Sequence, residues 1–128
     1  MRHSLHTLHN GLRVVLVPMA GAKTATVVVM AGTGSRYETK EENGLAHFLE
    51  HMFFKGTKKR PSARLISEEL DGIGSIYNAF TAKDRTAYYA KVSSRYLDTA
   101  LDVISDIYLN STLPGKEIAK ERGAIIQE

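Results

Sequence analysis

Extended, β-favouring residues recur in two short runs at the start of the chain, residues 5–9 and 12–17, separated by Asn10-Gly11. That dipeptide best tolerates the positive φ angles of a tight turn, so the pattern predicts a β-hairpin. Pro18 ends the second run. Residues 24–30 are rich in β-branched side chains and predict a third strand, mostly buried, which Gly32-Thr33-Gly34-Ser35 interrupts. That Gly-rich break has neither a GK[ST] ending nor a GxGxxG pattern, and reads as a turn rather than a phosphate loop.

The period then becomes helical. Phe48, Leu49, Met52 and Phe53 fall on one arc of a short helix, with Asn43 as the expected N-cap, Lys55 in the last turn and Gly56 as the stop. Residues 62–71 predict a second helix, led in by Pro61 and Ser62 and closed by Asp71-Gly72. Residues 73–81 and 86–92 read as two strands joined by Lys83-Asp84-Arg85, and antiparallel pairing is the simplest connection. Leu97, Ala100, Leu101, Ile104, Ile107 and Tyr108 mark the apolar face of a third helix capped by Ser93 or Ser94. Pro114 opens a last helix, expected to run to the final residue with Ile118, Ile125 and Ile126 toward the core. Glu121 and Glu128, seven apart, share its acidic face. The class is α+β: one domain with a largely antiparallel sheet covered by helices.

The polar arc of the first helix carries the chemistry. In His47-Phe48-Leu49-Glu50-His51, a turn of about 100° per residue puts His51 about 40° from His47 and Glu50 about 60° to His47's other side. Two imidazoles and a carboxylate therefore share one stripe. Histidines one turn apart can reach a single zinc ion, and an adjacent carboxylate can hold and deprotonate a bound water. HxxEH is also the inverted form of the HExxH metallopeptidase motif. An amphipathic helix with a chance His and Glu face is the competing explanation, since the pattern should arise in about one such chain in a hundred.

Composition narrows the choice. The 128 residues contain no cysteine, which removes disulfides, thiolate ligands and a thiol nucleophile. Zinc or another borderline metal held by N and O atoms fits best. The net charge of +3 is slight, and the densest basic run, Lys58-Lys59-Arg60, is expected in a solvated loop. No aromatic interleaving supports nucleic-acid binding. No apolar run approaches the ~20 residues of a membrane span and no signal peptide opens the chain, so no membrane role and a cytoplasmic location are expected. His3, His6 and His9, every third residue, scatter over both faces of a strand and are expected to be exposed.

Three blocks resemble a known family. Gly34-Ser35-Arg36-Tyr37-Glu38, then residues 44–52 and Phe54-Lys55-Gly56-Thr57, are similar to the N-terminal domain of pitrilysin-type zinc peptidases, in particular their mitochondrial and bacterial processing-peptidase branch. Asn78-Ala79 with Thr81, Thr86 and Tyr88 resembles a second block of that family, and Glu121-Arg122 through Glu128 a third. The resemblance implies zinc held by His47, His51 and Glu128, with Glu50 as general base and Glu121 accepting a ligand histidine's free N–H. It implies an edge strand at Asn78 and Ala79 that pairs with an extended peptide substrate. Arg36 and Glu38 are expected to position the loop ahead of the helix. Gln127 stands where the family often carries a second acid.

Family members are longer, with a homologous C-terminal half closing over the site. Residues 1–128 are therefore expected to be a truncated N-terminal metal-bearing domain, weakly active or inactive alone, whose parent hydrolyses peptides. That parent needs the C-terminal half or a partner subunit, and a homo-oligomer is compatible with the sequence. The alternative is a non-catalytic assembly subunit of a peptidase or respiratory complex, in which HxxEH is typically degraded; here it is whole. S-ribosylhomocysteine lyases also use HxxEH but take a cysteine ligand, which this chain lacks.

Overall fold

The computed structural model describes residues 2–126. Strands β1 (Ser4–Thr7) and β2 (Arg13–Leu16) form the expected antiparallel hairpin, in register Ser4 to Leu16. The turn differs from the expectation. Gly11 N–H donates to the Leu8 carbonyl at 2.9 Å and Gly11 alone takes a positive φ of 86°, so a turn through His9 and Asn10 is followed by a left-handed glycine. His3, His6 and His9 are exposed as expected.

Strands β3 (Thr24–Ala31), β4 (Ile76–Thr81) and β5 (Thr86–Ser93) make a separate antiparallel sheet in the order β3-β5-β4. The β4–β5 hairpin turns through 82–85, closed by Ala82 N–H to the Arg85 carbonyl at 2.8 Å. β5 is central, with five of its eight residues buried. β3, expected to be mostly buried, is an edge strand with Val27 buried and Val28 50% exposed. Its β-branched run fits a strand but does not say which face is covered.

Helices α1 (Leu45–Phe53), α2 (Ala63–Gly72), α3 (Leu97–Leu109) and α4 (Gly115–Ile125) follow the predicted order. Ile66 and Leu70 of α2 and Ala100, Val103, Ile104 and Ile107 of α3 bury against Val27, Tyr88, Ala90 and Val92 of the sheet. The period-2 alternation puts Tyr77, Ala79 and Thr81 of β4 inward, half-buried, and exposes Ile76, Asn78 and Phe80. Among the described residues no helix is long and apolar enough to cross a membrane.

Three helix details depart from the sequence pattern. α3 begins after a single 3-10 turn, Ser94–Tyr96, without a serine side-chain cap, and its buried stripe centres on Val103 and Ile107 while Leu97 and Leu101 are exposed. α4 has no buried residue, and Ile118 and Ile126 face out, the latter 77% exposed. Arg60, expected in a solvated loop, is only 4% exposed and bonds Glu69, Asp102 and Asp106. Lys58 and Lys59 do remain exposed.

Candidate metal centre

α1 starts where Glu38 tells it to. Its carboxylate accepts the Gly44 and Ala46 N–H groups at 2.7 Å each, capping the helix from six and eight residues away. Asn43 is not the N-cap; Gly44 occupies that position at φ 89°. Arg36 N–H donates to the Lys83 carbonyl at 2.8 Å, so the loop is tied at both ends, as expected for Arg36 and Glu38. Gly34 permits this approach, because a Cβ there would sit 2.2 Å from the Ala82 carbonyl oxygen. At the other end α1 stops at Phe53, and Gly56, at φ 146°, lies beyond the helix against Pro61.

The stripe forms as the helical spacing requires. His47 Nε2 and His51 Nε2 lie 3.1 Å apart, with the rings edge to face at 4.7 Å between centroids. The Nε2 separation is close to the edge between two ligands of a tetrahedral zinc at Zn–N of ~2.0–2.1 Å, roughly 3.3 Å. The donor types fit as well, both being imidazole nitrogens of the kind zinc takes.

Glu121 reaches in from α4. His51 Nδ1–H donates to its Oε1 at 3.0 Å, which orients the ring so that Nε2 faces His47. Lys55 pairs with the second oxygen, Oε2, at 2.7 Å. Burial pushes the Glu121 carboxyl up, but the hydrogen bonds from Lys55 and His51 outweigh it and hold the group below its ordinary value. Glu121 is thus an ionised acceptor at neutral pH. The helical period shows Lys55 only as a cation in the last turn, because its partner Glu121 lies on another element.

Glu50 is held from the sheet. Thr81 Oγ1 donates to Glu50 Oε2 at 2.5 Å; Thr86 donates to the Thr33 carbonyl at 3.1 Å and stands 3.4 Å from the Thr81 hydroxyl. Tyr88 stacks on Phe53 at 5.3 Å, and burial followed by the Glu50 carboxylate pushes its phenol up. Thr86 and Tyr88 are therefore packed strand residues. Asn78 and Ala79 lie on the edge strand β4, as expected, and Ala79 N–H donates to the Asn78 side-chain oxygen at 2.9 Å.

Glu128, with Gln127, lies outside the described residues. Among the described residues no set of three or more His, Asp or Glu closes a metal site; the structure brings together the two imidazoles, with Glu121 behind one of them. A cavity of about 330 Å³ on the other side of α1, lined by Ala46, Leu49, Phe53 and Tyr88 among others, includes none of the stripe.

The family described as Insulinase (Peptidase family M16) matches residues 13–128, nearly the whole chain. The chain belongs to the insulinase family. It is 47% identical over 123 residues to the "Uncharacterized zinc protease YmxG" of Bacillus subtilis (strain 168), covering 96% of this chain and 30% of that protein. It is 49% identical over 122 residues to the "Probable mitochondrial-processing peptidase subunit beta" of Arabidopsis thaliana, covering 95% of this chain and 23% of the other. Among solved structures of the insulinase-like fold, a protease from Helicobacter pylori superposes with a TM-score of 0.93 at 33% identity, over 98% of this chain and 30% of that one. Pitrilysin gives 0.86 at 35% identity, over 97% and 13%. The α+β class and the pitrilysin-type resemblance are borne out. The chain spans less than a third of the length of each of these relatives.

Proposed function

We propose that these residues are the metal-bearing part of the N-terminal domain of a zinc-dependent peptidase that hydrolyses peptide bonds in peptides or unfolded polypeptides. The observation that carries this is the convergence of His47 and His51 Nε2 at 3.1 Å on the same helical stripe as Glu50. His47, His51 and Glu128 would hold the ion. Zinc, when bound, lowers the pKa of its water to near neutrality and polarises a carbonyl. Glu50 accepts the water's proton and passes it to the leaving amine, and Thr81 keeps that carboxylate aimed. Glu121 fixes the His51 tautomer and ring. An extended substrate adds to the β4 edge at Asn78 and Ala79 through backbone hydrogen bonds, a mode that gives affinity without demanding much sequence.

Two relatives bear on the whole protein. One is named a zinc protease and another a processing-peptidase subunit, which supports peptide hydrolysis by a larger molecule with a homologous half or partner subunit. The deciding experiment is Glu50→Gln in the full-length protein, with peptide turnover and bound zinc measured together. Loss of turnover with zinc retained is expected; full turnover in the variant removes Glu50 from the chemistry and favours a non-catalytic assembly role.

A further inference from the structure

α1 carries both imidazoles and α4 carries Glu121, so the site depends on how α4 is launched. The launch is unusual. Leu113, directly before Pro114, has φ 45°, the only positive φ at a non-glycine residue among the described residues. A left-handed leucine is strained and persists only where its surroundings over-determine it.

Those surroundings are polar and specific. Thr112 N–H and Oγ1 both donate to the Gly56 carbonyl, at 3.0 and 3.2 Å, and Thr57 forms an antiparallel bridge with Ser111. The buried Thr57 hydroxyl donates to Asp106 Oδ2 at 2.6 Å and accepts the Arg60 N–H at 2.8 Å. Asp106 Oδ2 also takes Arg60 Nη1 at 2.8 Å, while its Oδ1 accepts Asn110 Nδ2 at 2.9 Å. Asp106 is therefore a hub. One oxygen holds the segment that leaves α1, and the other holds the segment that enters α4.

We propose that residues 110–113, clamped through Thr57 and Asp106, are a positioning device that fixes the approach of α4 to α1 and so keeps Glu121 on His51. Thr57 and Leu113 are positioning residues that touch neither metal nor substrate. Their effect passes from the clamp through the rigid helix α4 to the Glu121–His51 hydrogen bond. A loosened clamp leaves the fold intact and lets that bond lapse, freeing the His51 ring to rotate. The inference rests on the reading of His51 as a metal ligand.

The test uses the full-length protein loaded with zinc, and measures the rate of zinc release to a chromophoric chelator beside the unfolding midpoint. Leu113→Gly leaves the hydrogen bonds of the clamp in place but frees the backbone of the joint they brace, and the strain it relieves offsets the chain entropy it adds, so its midpoint should stay close to that of the parent. Its zinc release should nevertheless be about tenfold faster, the scale at which supporting groups tune metal sites. Thr57→Val should also release zinc faster, and Thr57→Ser, which restores the hydroxyl, should return to the parent rate. Release from Leu113→Gly at the parent rate, with His51→Ala unable to retain zinc, overturns the inference and leaves the metal reading standing. Zinc fully retained by His51→Ala overturns both.

Discussion

The Thr81 hydroxyl donates to Glu50 Oε2 across 2.5 Å, a contact between an edge strand and a helix 31 positions earlier in the chain. It occupies one lone pair of the carboxylate at Oε2, the group proposed above to take the water's proton. Thr81 also sits where β4 turns into β5, so strand and helix hold the Glu50 carboxylate jointly.

Removing that hydroxyl should cost catalysis without costing metal. A hydrogen bond to a charged group contributes ~1.5–3 kcal/mol, so Thr81→Val is expected to lower kcat by roughly tenfold to a hundredfold. Thr81→Ser should recover most of the loss. Steady-state kinetics with zinc content measured on the same preparations checks this, and an unchanged kcat in Thr81→Val would remove Thr81 from the site.

Glu38 governs the start of the helix that carries His47 and His51. Its two oxygens satisfy two of the N-terminal N–H groups of α1, and its charge lies at the positive end of the helix dipole. Glu38→Ala should destabilise the protein by about 1–2 kcal/mol and fray the first turn, which contains His47. Denaturant unfolding gives the first number, and amide exchange at Ala46 and His47 locates the fraying. Protection there equal to the parent's would place the capping elsewhere.

Local pattern made most elements legible, and tertiary partnership explains what it missed. Ser62 caps α2 as its position suggested, with Leu65 N–H donating to Ser62 Oγ at 3.3 Å, because capping is decided within a few residues. The two-histidine stripe was legible for the same reason, being a property of one helical turn. Lys55, Thr81 and Arg60 were not, since their partners Glu121, Glu50 and Asp106 lie on other elements and no period reports them. The exposed Leu101 and Ile118 fit an amphipathic pattern, yet only the packing of α3 and α4 decides which part of an apolar arc is covered. Asn43 failed as a cap because a longer-range carboxylate took the N–H groups first.

The edge of β4 offers a test of how substrate enters. Ala79 N–H is engaged by Asn78's own side chain, so a peptide that pairs there must displace that oxygen. One neutral hydrogen bond contributes about 1 kcal/mol net, and Asn78→Ala should therefore lower KM by up to roughly fivefold with kcat little changed. A raised KM would mean that the Asn78 amide turns to contact the substrate instead.

The Arg60 cluster should set the acid limit of the fold. The Arg60 hydrogen bonds hold the Glu69 carboxyl below its ordinary value, and Lys59 and then Arg60 do the same for Asp102. At Asp106 burial pushes upward, but Thr57, Asn110 and Arg60 outweigh it, so this group too is depressed. A carboxyl whose folded pKa is depressed adds stability that is complete above the unfolded value, near 4 on the ordinary scale, and is lost as pH falls through the folded value. The unfolding midpoint should thus hold between about pH 7 and 5 and fall steeply below about 4. Glu69 and Asp102 are well exposed, so solvent screens their share, and the buried Arg60–Asp106 pair carries most of the effect. Arg60→Met leaves Asp106 buried without its cation, which should cost about 3–5 kcal/mol at neutral pH. The same change should flatten the acid limb, since Asp106 protonation then relieves an unpaired charge instead of breaking a pair. Thermal melts of parent and variant from pH 3 to 7 measure both effects, and parallel pH curves for the two proteins would show that the acid limit lies outside this cluster.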